Sequence, residues 1–208
     1  MMIYSCHFSK MIISLTGFMG CGKSSVGRRL SELLCCRFAD LDAVIEEQEV
    51  CSIAEIFDRG EAEFRRIEKE TLKGIIDKTE SSDVHEASKA GRMVLALGGG
   101  AVMTPSSAEM VHEKTVCIYL RASVHTLLEH LEGEAAKRPL LATGNHSSQA
   151  DSTALRHRIE SLMALRSTTY EHVAHHIIDT DGKCVEEIAR EILDLGEIKG
   201  VLQHIPGI

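Results

Sequence analysis

"ISLTGFMGCGKSSVGRRLSELL" spans Ile13–Leu34 and sets an apolar run, a glycine-rich loop and a helical pattern end to end. Within it, Gly17-Phe-Met-Gly20-Cys-Gly22-Lys23-Ser24 fits G-x-x-x-x-G-K-[ST]. Such a loop needs a strand before it and a helix after it, because its backbone N–H groups wrap phosphate oxygens while the helix N-terminus points partial positive charge at them. Both flanks are legible: "MIISLTG" from Met11 reads as a buried strand, and Val26, Leu30, Leu33 and Leu34 share one helical face. Gly20, Cys21, Gly22, Lys23, Ser24 and Ser25 are therefore the expected nucleotide cradle. Lys23 would reach the β- and γ-phosphate oxygens, and the Ser24 hydroxyl would ligate a bridging magnesium ion.

Working outward, short apolar runs alternate with helical patterns: "RFADLD" at 37, "RMVLALGGG" at 92, "TVCIYL" at 115 and "HHIIDT" at 175. That rhythm predicts an α/β chain with a parallel sheet covered on both faces. Leu155, Ile159, Leu162 and Met163 form one core stripe, and Val185, Ile188, Ala189 and Ile192 another. Ser52 and Glu55 make a capping box that opens a helical segment broken near Gly60. The polar stretches 78–91 and 133–153 read as surface segments, and the first ten and last ten or so residues as loosely held termini.

The 208 residues, 44% hydrophobic, suffice for one domain with a substantial core. A net charge of −8, without a basic run, argues against nucleic acid or a membrane surface as partner. Nothing approaches the roughly 20 apolar residues of a bilayer span. Seven cysteines without a C-x-x-C pair read as free thiols, mostly buried, in a reducing compartment, so a cytoplasmic protein is expected. His172 and His176 stand four apart, but the glutamate of H-E-x-x-H is missing and a strand is predicted near His175, which disfavours zinc.

A nucleotide loop does not name its acceptor. "FADLD" places Asp40 and Asp42 at a strand end, where period two would point both carboxylates into the crevice at the carboxyl ends of the sheet. Asp40 is the candidate to hold a magnesium-bound water, Asp42 to accept a proton or hydrogen bond from an attacking hydroxyl. Gly98, Gly99 and Gly100, after a buried strand, remove side chains where a ligand must approach the backbone. Arg65 and Arg66 have a plain reading as a charged helix face, with pairs such as Arg65 to Glu68.

In order, "GFMGCGKSSVG", "DLD", "IFDRGEAEFRRIE", "LGGGAV", "RPLL" and "LMALRSTTY" closely resemble shikimate kinase, a family of P-loop enzymes akin to the nucleoside monophosphate kinases. The resemblance runs over about residues 11–195. It implies a three-layer α/β/α fold with five parallel strands in order 2-3-1-4-5, in a single kinase domain over 1–208. It also implies a helical acceptor-binding insert at about 43–77 and a lid at about 133–152. ATP and shikimate would be the small-molecule partners, with Mg2+ as cofactor, and the expected state is a monomer.

Carried over by position, the resemblance gives Asp42 the ring hydroxyls of shikimate and a role as base, and Arg65 its carboxylate, steadied by Glu68. Arg166 would be the second arginine on that carboxylate, Phe57 and Phe64 the apolar walls. Gly98, Gly99 and Gly100 would contact substrate and γ-phosphate, and Arg138 would close from the lid onto the ATP phosphates. "DTDGK" at 179–183 would form the adenine loop. Relative to the family pattern, the span from Phe57 to Phe64 is one residue shorter, and the loop 78–91 and the lid after Leu141 are longer. Two rivals remain: a P-loop kinase for another polyol acid such as gluconate, and a non-catalytic nucleotide-binding regulator, which would predict damage to Lys23, Asp42 or Arg138.

Overall fold

The computed structural model describes residues 11–81, 92–131 and 149–202. Its five strands are β1 (Met11–Thr16), β2 (Arg37–Asp40), β3 (Arg92–Ala96), β4 (Val116–Arg121) and β5 (His176–Asp179). They pair in parallel in the order β2-β3-β1-β4-β5, as expected. Period-two alternation divides their side chains between two cores. Ile13, Leu15, Val94, Ile118 and Leu120 face one side, where α1 (Lys23–Leu33) and α8 (Val185–Leu193) pack. Ile12, Met93, Leu95, Cys117 and Tyr119 face the other and meet α4 (Glu61–Ser81) and α5 (Pro105–Lys114). Parallel strands buried on both faces are what the near-continuous apolar runs required.

Between β2 and β3 lie α2 (Leu41–Glu49), α3 (Ile53–Asp58) and α4. The Ser52–Glu55 capping box is formed in both directions at the start of α3. Gly60, at φ 121°, takes the positive dihedral that turns the chain into α4. Val50 ends α2 in the left-handed region at φ 53° and is 89% exposed. Beyond β3, a 3-10 turn (Ala101–Met103) leads to α5, and α6 (Val124–Leu131) follows β4. The long α7 (Gln149–Val173) precedes β5, and α9 (Gly196–Leu202) follows α8.

Four expectations are corrected. The strand ends at Asp40, which N-caps α2 by accepting from the Asp42 N–H at 3.1 Å, so Asp42 sits in a helical first turn and not at a period-two strand position. Val185 is 39% exposed, because it opens α8 at the rim of a cleft instead of joining the stripe beneath it. Of the described cysteines, Cys21 and Cys117 are buried, Cys36 and Cys51 half-buried, and Cys35 and Cys184 exposed at helix ends, all free. Residues 196–202, which overlap the terminus expected to be loosely held, form α9 instead, with Ile198 fully in the core. Residues 78–81 continue α4 and 149–152 begin α7. The rest of the long loop, the lid through 148, Cys6 and the first ten residues lie outside the described residues. No helix among the described residues is long and apolar enough to cross a membrane.

Candidate active site

The loop after β1 turns at Gly17, Gly20 and Gly22, at φ 139°, 82° and 92°, conformations that side-chain-bearing residues rarely adopt. Gly22 N-caps α1 without any side-chain cap, so the N–H groups of the first turn point outward beside Lys23. The Lys23 ammonium bends back and donates to the carbonyls of Gly17 (3.0 Å) and Phe18 (2.9 Å). Cys21 is buried, so its share in the cradle is its backbone. From the end of α6, His130 Nδ1 bonds the Gly20 carbonyl at 2.8 Å.

β2 lies two strands from β1, and its end brings Asp40 to the same rim. The Ser24 hydroxyl donates to Asp40 Oδ2 at 2.5 Å. As hard oxygen donors, the Ser24 hydroxyl and the Asp40 carboxylate would suit a hard divalent cation. Among the described residues there is no group of three or more His, Cys, Asp or Glu side chains that could hold a metal ion.

An open cleft of about 500 Å³ joins this cradle to Asp42 and Gly99, with Met19, Leu97, His130 and Val185 on its walls. Behind Asp42 stands the triple glycine. A Cβ on Gly98 would lie 2.7 Å from Asp42 Oδ1 and 2.8 Å from Glu68 Oε1, and one on Gly100 would lie 2.5 Å from the Arg65 guanidinium. The glycines thus let two carboxylates and an arginine close on bare backbone.

α4 presents Phe64, Arg65 and Glu68 on one side of its first turns. Arg65 Nη1 binds Glu68 at 2.6 Å, Nη2 reaches the exposed Glu61 at 3.3 Å, and the guanidinium lies 5.1 Å from the Phe64 ring. Phe57 of α3 stacks on Phe64 with centroids 4.4 Å apart. Glu68 is 3% exposed, and burial raises its pKa above the usual carboxylate value, with Arg65 opposing and the Asp42 charge adding to the rise. Arg66, by contrast, is a surface residue paired with Glu63 and Glu70.

α7 closes the site from the other side. Arg166, 7% exposed, donates to the Gly99 carbonyl at 3.3 Å, and the Tyr170 hydroxyl donates to the same oxygen. Tyr170 and His130 were not anticipated as site residues. Tyr170 follows Arg166 by four, one helical turn, which was the available signal, whereas nothing local marked His130. Of the anticipated residues, the cradle without the buried Cys21, together with Asp40, Asp42 and Gly99, lines the cleft, while Phe57, Phe64, Arg65, Gly98, Gly100 and Arg166 form the layer behind Asp42 and Gly99. Arg138 lies outside the described residues.

Comparison with known proteins places this constellation. The shikimate kinase family model matches residues 19–196. A shikimate kinase from Thermus thermophilus is 37% identical over 183 residues, 88% of each chain. One from Geobacter sulfurreducens is 39% identical over 181 residues, 86% of this chain and 87% of that one. The solved structure of shikimate kinase from Acinetobacter baumannii in complex with shikimate superposes with a TM-score of 0.76 at 32% identity, covering 89% of this chain and 92% of that chain. A P-loop, a triple glycine and a paired-arginine layer in unbroken order, matched by sequence over most of the chain and by fold, lead to one conclusion: the chain belongs to the shikimate kinase family.

Proposed function

We propose that the chain transfers the γ-phosphoryl group of ATP to the 3-hydroxyl of shikimate, giving shikimate 3-phosphate and ADP. The observation that carries this reading is the shared cleft. The P-loop with Lys23 and Ser24 forms one wall, and Asp42, backed by Arg65, Arg166 and the triple glycine, forms the other. Shikimate is a carboxylate bearing ring hydroxyls, and planar guanidinium groups suit bidentate capture of a carboxylate where lysine would not. Phe57 and Phe64 offer an apolar wall for the ring. A neutral acceptor would gain nothing from two arginines at this depth, which disfavours a nucleoside or simple sugar.

In this reading Lys23 exchanges its loop carbonyls for the β- and γ-phosphate oxygens, and the N–H groups of Gly22, Lys23 and Ser24 hold the phosphate chain at the helix N-terminus. Ser24 and Asp40 would hold Mg2+, which when bound neutralises charge on the β- and γ-oxygens. Asp42 accepts the hydrogen bond or proton of the attacking hydroxyl, and Arg138 supplies a further cation to the phosphates. Catalysis is then positioning and charge stabilisation. We also propose that the chain works as a monomeric single kinase domain in the cytoplasm.

The test is ADP release from Mg2+-ATP by the purified protein, with shikimate, gluconate or quinate offered separately. ADP formed with shikimate and not with the others supports the reading. ADP formed equally with gluconate overturns the assignment of the arginine layer, and ATP binding without turnover on any acceptor favours a regulator.

A further inference from the structure

The three carbonyls of the glycine run are held in two different ways. Those of Gly98 and Gly100 accept from the N–H groups of Ala101 and Met103 at 3.0 Å, within the local turn. That of Gly99 is held from outside, by Arg166 Nη1 at 3.3 Å and by the Tyr170 hydroxyl. Gly99 is also where the run meets the P-loop: a Cβ there would stand 3.3 Å from the Met19 N–H.

A trans peptide carries its C=O and the following N–H in opposite directions. Fixing the Gly99 oxygen toward α7 therefore turns the Gly100 N–H away from α7. We propose that Tyr170 is a positioning residue for phosphoryl transfer: by gripping the Gly99 carbonyl it fixes the Gly99–Gly100 peptide plane, and with it the backbone that lines the cleft at Gly99 between the P-loop and Asp42. This rests on the kinase reading above, in which Arg166 is drawn onto the substrate carboxylate and Tyr170 becomes the donor that stays on Gly99. The ring is built for constancy, 1% exposed and packed in a tilted contact with Tyr119, centroids 5.2 Å apart. Cleft backbone fixed in advance acts on the transition state more than on the bound substrate.

The test is Tyr170→Phe, which keeps the ring and removes the donor, beside Tyr119→Phe as a control for packing. For Tyr170→Phe, kcat is expected to fall at least about tenfold while KM for shikimate and for ATP stays within about twofold. Tyr119→Phe is expected to leave kcat within about twofold of wild type. In protein carrying 13C-carbonyl glycine, the Gly99 resonance should move in Tyr170→Phe. In the wild-type protein that carbon should show a deuterium isotope shift from the Tyr170 hydroxyl, a reading that needs no variant. A folded Tyr170→Phe with wild-type kcat, or a wild-type Gly99 carbonyl without the isotope shift, overturns the proposal. Failure of the wild-type protein to phosphorylate shikimate would instead overturn the kinase reading, and is seen in a separate assay.

Discussion

Arg65 occupies the space that a side chain on Gly100 would need: a Cβ built there would sit 2.5 Å from both Nη1 and Nη2 of the guanidinium. The backbone turn after β3 and the cation of α4 are therefore fitted to each other. Gly100→Ala should push Arg65 off its pairing with Glu68, since overpacking a filled site costs about 1–3 kcal/mol. The expected result is a KM for shikimate raised about tenfold or more, with KM for ATP little changed. Steady-state kinetics with each substrate varied in turn measures this. Equal loss toward both substrates would place the damage in the P-loop.

In the proposed reading, Arg65→Ala removes the partner of the shikimate carboxylate. A charge-assisted hydrogen bond is worth about 1.5–3 kcal/mol, so KM for shikimate should rise roughly 10- to 100-fold, and Arg65→Lys should recover only part of it for want of a planar fork. Isothermal titration of shikimate onto the variants checks the ranking. Binding by Lys equal to binding by Arg would speak against bidentate recognition.

Lys23→Met should lower kcat by about a hundredfold or more, the scale seen when one preorganised donor to developing charge is lost. Circular dichroism should show a folded protein, because among the described residues the Lys23 ammonium bonds its own loop, through Gly17, Phe18 and Cys21. A folded variant with normal turnover would remove Lys23 from the phosphate site.

The far end of β4 carries a pH-sensitive contact. His175 Nδ1 accepts the Cys117 N–H at 3.1 Å, and the ring stacks on His112 at 4.6 Å. Burial, then the charges of His112 and His176, lower its pKa below 6.5, against a pull upward from Glu197. The unfolded chain, with the ordinary value, therefore takes up the proton first as pH falls. The contribution to stability is full above about pH 6.5 and is lost below it. Urea unfolding between about pH 7.5 and about pH 5.5 should show this decline, and His175→Asn should flatten it. A decline of the same slope in the variant would assign it to other groups.

Val50 is a β-branched residue held at φ 53° with almost all of its surface in water. A left-handed conformation costs an L-residue about 1–2 kcal/mol, and a glycine at this position after a helix relieves it. Val50→Gly should stabilise the protein by about 1 kcal/mol, read as a higher urea midpoint with unchanged slope. A lower midpoint would mean that the side chain is held by contacts worth more than the strain.

The strands and the P-loop were legible because they are written locally: apolar runs between Gly-rich turns, and a loop pattern whose flanks must be strand and helix. The capping box at Ser52 and the break at Gly60 were legible for the same reason. Asp42 does line the cleft, but for a different cause than the strand pattern suggests. Period two fits a strand that continues past Asp40, but that residue caps a helix, and the helical turn now carries Asp42 toward Gly98. The layer behind the cleft was legible only through resemblance, since Arg65 alone looks like Arg66, and only tertiary burial separates them. His130 meets Gly20 across 110 positions of chain, a distance that no local pattern spans.

The segment between β2 and β3 leaves the sheet at Asp40 and returns at Arg92. Along this one uninterrupted length the chain carries Asp42, Phe57, Phe64, Arg65 and Glu68. In the proposed reading, choice of acceptor is thereby nearly a cassette, exchangeable at two junctions without disturbing the nucleotide half. The exceptions are Arg166, which arrives on α7, and the glycine run at 98–100, both of which stay behind in any such exchange. A chimera made this way would inherit one half of an acid-binding grip, and its new acceptors would be biased toward carboxylic acids before any further change.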